Sequence, residues 1–189
     1  MILPVLLGGS MALDRSEIAP VSTERPELII DGSVAADFQA LALKTWDQFL
    51  RVFWKRKDCF GDVYLRADDS LGSRAAYNPN SATVTVRVPA TAAMLQGALI
   101  HEWAHHIEFQ CKEHEDLRAA FLIAQGMPGE TDWRKVETPE MSARAWAGLP
   151  SEQYAEATIA LVLGGRSIPT GARVSTQAVG VIEKWAAGY

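Results

Sequence analysis

The sequence predicts an α+β fold with a small antiparallel sheet, and three observations predict it. Apolar residues recur at three- and four-residue steps in several segments, two short segments alternate in β-branched residues, and Gly and Pro punctuate the joins. With 189 residues, 48% of them hydrophobic and 22% charged, the chain is long enough to bury one core.

Residues 1–32 hold Pro4, Pro20, Pro26 and Gly8-Gly9 with little periodicity and read as an N-terminal arm or leader, leaving 33–189 as the domain. Met1 to Leu7 is apolar and runs into small residues, which suits either the remnant of an export signal or an apolar arm. Ser33 is placed to cap a helix over about 34–56, with Phe38, Leu41, Thr45, Phe49, Val52 and Phe53 on one face. Residues 62–66 and 82–88 read as strands, separated by the turn-forming Tyr77-Asn78-Pro79-Asn80-Ser81. Pro89 ends the second strand, and Thr91 caps a helix over about 92–111. A helix over 115–125 stops at Gly126 and Pro128, and 126–150 is loop-like. Ser151 opens a helix through Leu163, ended by Gly164-Gly165, and a last helix covers about 175–187.

Charge and hydropathy remove two classes of function. A net charge of −5, with no basic block longer than Lys55-Arg56-Lys57, gives no footprint for nucleic acid. No apolar stretch reaches the roughly 18–20 residues that span a bilayer. Cys59 and Cys111 stand 52 positions apart. Paired, they would close a loop worth about 4 kcal/mol in chain entropy; reduced and buried, they would be core residues. The sequence leaves both open. With them stays open the compartment, an extracytoplasmic one being slightly favoured.

The chemistry lies in His101-Glu102-Trp103-Ala104-His105. The two histidines are four apart on a helix, so their imidazoles project from one face and fit two corners of a zinc tetrahedron. Glu102 lies beside that face, placed to take a proton from the attacking water as general base. The surrounding Leu95, Ala98, Leu99, Ile100, Trp103, Ala104 and Ile107 are apolar, so three ionisable groups there would be costly without a task.

A third ligand is required, and two schemes compete. An extended motif would need Gly three residues after His105 and His six residues after it, where this chain has Glu108 and Cys111. The alternative is a later glutamate. Glu152 and Glu156 share one face of an otherwise apolar helix, so Glu152 is expected to bind the metal and Glu156 to fix the outer N–H of a ligating histidine. The bland reading makes both acids solvated first-turn residues, which suits Glu152 better than Glu156.

His101-Glu102-x-x-His105 and Glu152-x-x-Ala155-Glu156, 47 positions on from His105, resemble the motif pair of the gluzincin metallopeptidases, in particular small lethal-factor-like forms. The resemblance covers about residues 60–165. It implies one Zn²⁺, hydrolysis of peptide or protein substrates, and a minimal zincin-like core with an active-site helix and a glutamate helix. An edge strand would pair with extended substrate, and 83–88 is the candidate by analogy. A tyrosine expected seven residues before the third ligand is replaced by Ala145, so Tyr77 and Tyr154 are the candidate oxyanion assistants. His106 is expected to be structural and His114 to lie on the surface. The rival expectations are a non-catalytic zinc-stabilised binding or inhibitory domain, and an intracellular regulatory peptidase.

Overall fold

Four short strands make one sheet: β1 (Leu28–Ile30), β2 (Val63–Asp68), β3 (Ala75–Asn78) and β4 (Thr83–Arg87), in the order β1-β2-β4-β3. The computed structural model describes residues 25–135, 141–165 and 171–189. The export-signal reading of the first residues lies outside them. β1 falls within the stretch expected to be an arm.

The sheet is mixed rather than antiparallel. β2 runs parallel to both β1 and β4, and only β3 is antiparallel to its neighbour. The reason is β3. The chain leaves β2, passes beyond the position of β4, and returns through the turn at Pro79–Ala82, where Asn78 Oδ1 accepts from the Asn80 N–H at 3.0 Å. Residues 83–88 are therefore not an edge: β4 is interior, and β3 is the edge strand on this side. Alternation decides which face is covered. Val63, Leu65, Val84 and Val86 are buried, while Tyr64 between them is exposed.

Helices cover the buried face. α1 (Ala36–Phe53) starts two residues later than expected, with Ala35 and no side-chain cap at its N-terminus. Ser33 instead accepts from the Ala67 N–H at 3.0 Å and ties the helix entry to β2. Trp46 and Phe49 of α1 meet Trp103 at ring separations of 4.9 and 5.5 Å. Truncating such a fully buried ring costs about 3–5 kcal/mol.

Trp103 belongs to α3 (Ala92–Gln110), which Thr91 caps by accepting from the Met94 N–H at 3.3 Å. From Gly97 to Glu108 every residue of α3 is buried, so this is a central helix rather than an amphipathic surface one. α6 (Pro150–Leu163) packs along it and ends at Gly164, whose φ of +73° favours glycine. The short α2 (Lys57–Phe60), α4 (Glu115–Ala124) and α7 (Thr176–Ala186) complete the shell. A four-residue helix, α5 (Ala143–Trp146), interrupts the stretch expected to be loop.

Cys59 and Cys111 form a disulfide across a Cα–Cα distance of 4.7 Å, joining α2 to the C-terminal cap of α3. Among the described residues no helix is long and apolar enough to cross a membrane.

Candidate metal centre

α3 places His101 and His105 one turn apart, and α6 brings Glu152 against them. His101 Nε2 lies 3.2 Å from His105 Nε2 and 2.9 Å from Glu152 Oε2. Glu152 Oε1 is 3.4 Å from His105 Nε2. All three side chains are buried, Glu152 to 2% exposure, and their ligand atoms lie within 4.8 Å of one another. This cluster could hold one metal ion.

The cluster opens into a cleft of about 600 Å³. Glu102 lines the same cleft, facing it from the helix position next to His101. Tyr77 and its neighbours on β3 also line it, with Phe109 5.9 Å from the Tyr77 ring, as do Arg134 and Trp146. The Trp146 ring lies nearly parallel to that of His101, with 5.8 Å between the centroids.

Each imidazole meets a carboxylate at its outer nitrogen. Glu156 Oε1 is 3.2 Å from His101 Nδ1, reaching it from α6 one turn beyond Glu152. For His105 the partner is Glu108, with Oε2 at 3.0 Å from Nδ1. Glu108 occupies the position where the extended zinc motif has glycine. Its i,i+3 spacing from His105, on a helix otherwise apolar there, was the available signal. Glu108 is held in turn by Arg134, which donates from Nε to Oε1 at 3.0 Å and from Nη2 to Oε2 at 2.7 Å. The Trp133 indole N–H also donates to Oε1, at 2.9 Å.

These contacts set the charges. Burial disfavours a charged His105, but the carboxylates of Glu108 and Glu152 outweigh it and lift its pKa to about 10. Burial likewise opposes the charge on His101, and Glu152 and Glu156 reverse the sign. Glu108 is pushed up by burial and pulled down further by His105 and Arg134, to about 2. Glu152 ends well below the usual carboxylate range, because His101 and His105 overcome its desolvation.

No family model, curated protein or solved structure matches the chain.

Other residues expected near the chemistry lie elsewhere. Tyr154, a candidate oxyanion assistant, is fully buried on the far side of α6, with its ring 4.5 Å from that of His114. Two residues beyond Glu152 in a helix is about 200° around the axis, so it cannot share that face. Tyr77 does reach the cleft, but its hydroxyl is engaged. It lies 2.8 Å from His106 Nδ1 and accepts from Gln110 Nε2 at 3.1 Å. With His106 Nε2 directed at the Gly61 carbonyl, 3.4 Å away, Nδ1 is left as the acceptor of the Tyr77 proton. His106 is buried against Phe60 and does not line the cleft. His114 is not on the surface: it is fully buried among Trp133, Tyr154 and Trp185.

Proposed function

We propose that the chain is a zinc-dependent peptidase of gluzincin type, in which His101, His105 and Glu152 hold one Zn²⁺ and Glu102 is the general base. One observation carries this reading. The two Nε2 atoms stand 3.2 Å apart, and Glu152 places Oε2 2.9 Å from that of His101 and Oε1 3.4 Å from that of His105, close to the roughly 3.3 Å edge of a tetrahedron with 2.0–2.1 Å bonds. Two imidazoles and one carboxylate, opening on a cleft, are the donor set of a catalytic rather than a closed structural zinc site.

When bound, zinc supplies a Lewis acid that polarises the scissile carbonyl and acidifies water. The Glu102 carboxylate accepts a proton from the attacking water and returns it to the leaving amine. Glu156 and Glu108 accept the outer N–H of His101 and His105, so that each Nε2 would be the nitrogen available to hold a metal. β3, paired on one side only, offers its free edge to an extended peptide beside Glu102, the role first expected of 83–88. The layering of the small sheet, α3 and α6 supports a minimal zincin-like core. The disulfide supports an oxidising, extracytoplasmic setting over the intracellular regulatory alternative.

The test is Glu102→Gln in zinc-loaded protein. We expect peptide hydrolysis to fall at least about 100-fold with zinc content unchanged. Cleavage at the wild-type rate by a variant that keeps its zinc would sink the mechanism.

The second reading is a non-catalytic zinc-stabilised binding or inhibitory domain. The engagement of the Tyr77 hydroxyl and the burial of Tyr154 favour it, since neither is poised to assist an oxyanion. Unfolding on chelation, with no member of a peptide library cut, would select this reading.

A further inference from the structure

We propose that Arg134 is a positioning residue for the metal centre, acting on His105 through Glu108 and thereby making metal affinity depend on the segment that follows α4. This rests on the zinc reading above. The two histidines are held by different means. His101 is held from α6, the helix that also supplies Glu152. His105 is held from its own helix, by a glutamate three residues on, and that glutamate could adopt other rotamers or leave for the cleft.

Arg134 and Trp133 remove that freedom. The guanidinium spans both carboxylate oxygens, Nε to Oε1 at 3.0 Å and Nη2 to Oε2 at 2.7 Å, a fork that fixes the carboxylate plane as well as its position. The Trp133 N–H adds a third donor on Oε1. Oε2 is thereby aimed at His105 Nδ1. The pairing also fixes which nitrogen a metal would take. A carboxylate saturated by an arginine has no proton to donate, so Nδ1 carries a hydrogen and Nε2 is the nitrogen that would give up its proton to a bound metal. Arg134 Nη2 itself lies 3.2 Å from Nδ1. It would be a competing donor to an unprotonated Nδ1, so a firm Arg134–Glu108 fork decides which of the two arrangements is occupied.

Arg134 does not sit on a regular element. It follows Trp133 in the irregular stretch after α4 and is anchored by packing: its guanidinium carbon lies 4.3 Å over the Phe109 ring, and Trp133 packs on Phe121 and His114. A side chain one-third exposed at the cleft thus controls the inner geometry of His105.

The experiment is a zinc titration of the full chain against a competing chelator, for wild type, Arg134→Lys, Arg134→Met, Glu108→Gln and the double variant Arg134→Met/Glu108→Gln. Cobalt(II) spectra are recorded on each to report ligand geometry. Arg134→Met is expected to weaken zinc binding about 10–100-fold and to alter the cobalt bands. Arg134→Lys, which keeps the charge without the fork, is expected to recover part of the loss. The double variant should bind no more weakly than Glu108→Gln alone, because the two residues act as one unit. Wild-type affinity and spectrum in Arg134→Met would overturn the proposal, as would losses that multiply in the double variant. Should Arg134→Met fail to fold, Arg134→Lys decides: affinity and cobalt bands intermediate between wild type and Glu108→Gln support the fork, and unchanged values refute it. A wild-type chain that takes up no zinc would overturn the metal reading itself, a result distinct from any of these.

Discussion

The four histidines are all buried, yet they divide into two pairs with opposite electrostatics. His101 and His105 are ringed by Glu152, Glu156, Glu108 and Glu102, and their pKa values rise. His106 and His114 meet mainly aromatic rings and backbone; burial dominates and lowers them to about 4 and about 3. Burial alone therefore says nothing about the charge of an imidazole. What differs is whether carboxylates were brought into the same dry volume, and only the first pair has an arrangement that a cation could replace.

The comparison can be broken most severely at Glu152, whose two oxygens reach one histidine each. Glu152→Gln should weaken zinc uptake more than about 100-fold, beyond the loss expected for outer partners, as measured by chelator competition. Retention of zinc in that variant would mean the two histidines do not depend on α6.

The neutral pair is tested through acid. His114 takes up a proton in the unfolded chain below about pH 6.5 but in the folded protein only near pH 3. The unfolded state thus binds more protons in this window, and folding stability must fall as pH drops from 6.5 toward 3. Between pH 6.5 and 5 the contribution is about 2 kcal/mol. Urea unfolding at the two pH values should show a loss in wild type that is smaller by about that amount in His114→Phe. Equal losses in both would place His114 in a wetter site than the structure does.

The smallest effect is expected at Tyr77, which touches the neutral pair while lining the cleft. Tyr77→Phe removes the bond to His106 and should cost about 1 kcal/mol of stability. Hydrolysis should change by less than about threefold, because the hydroxyl proton is already donated to His106 Nδ1. A drop of two orders of magnitude would restore Tyr77 as an oxyanion assistant.

The division between the pairs also explains what the sequence made legible. His101, His105, Glu152 and Glu156 could be read because each is ionisable on a helix otherwise apolar, where a charge demands a partner. Glu108 obeyed the same rule and could have been read with them. His114 could not: it stands in the polar run Glu113-His114-Glu115-Asp116, and its cage comes from Trp133, Tyr154 and Trp185, distant in the chain. β3 was hidden for a different reason. Ala75 and Ala76 carry no β-branched signal, and the turn residues beside them dominate the local chemistry. With β3 unread, the parallel pairing of β2 with β4 could not be foreseen, and the edge was assigned to the wrong strand. Arg134 lay in a stretch without periodicity, where residue type alone gives no direction.

The disulfide has one more consequence, concerning breakage of the chain rather than its folding. Cys59 precedes β2 and Cys111 follows α3, so the covalent ring they close contains β2, β3, β4 and both histidines of the motif. The joins at 69–74 and 79–82 lie inside that ring. A cut at either join would release no fragment. The nicked chain would migrate whole on a non-reducing gel and fall into two pieces only after reduction, so its integrity must be judged under both conditions.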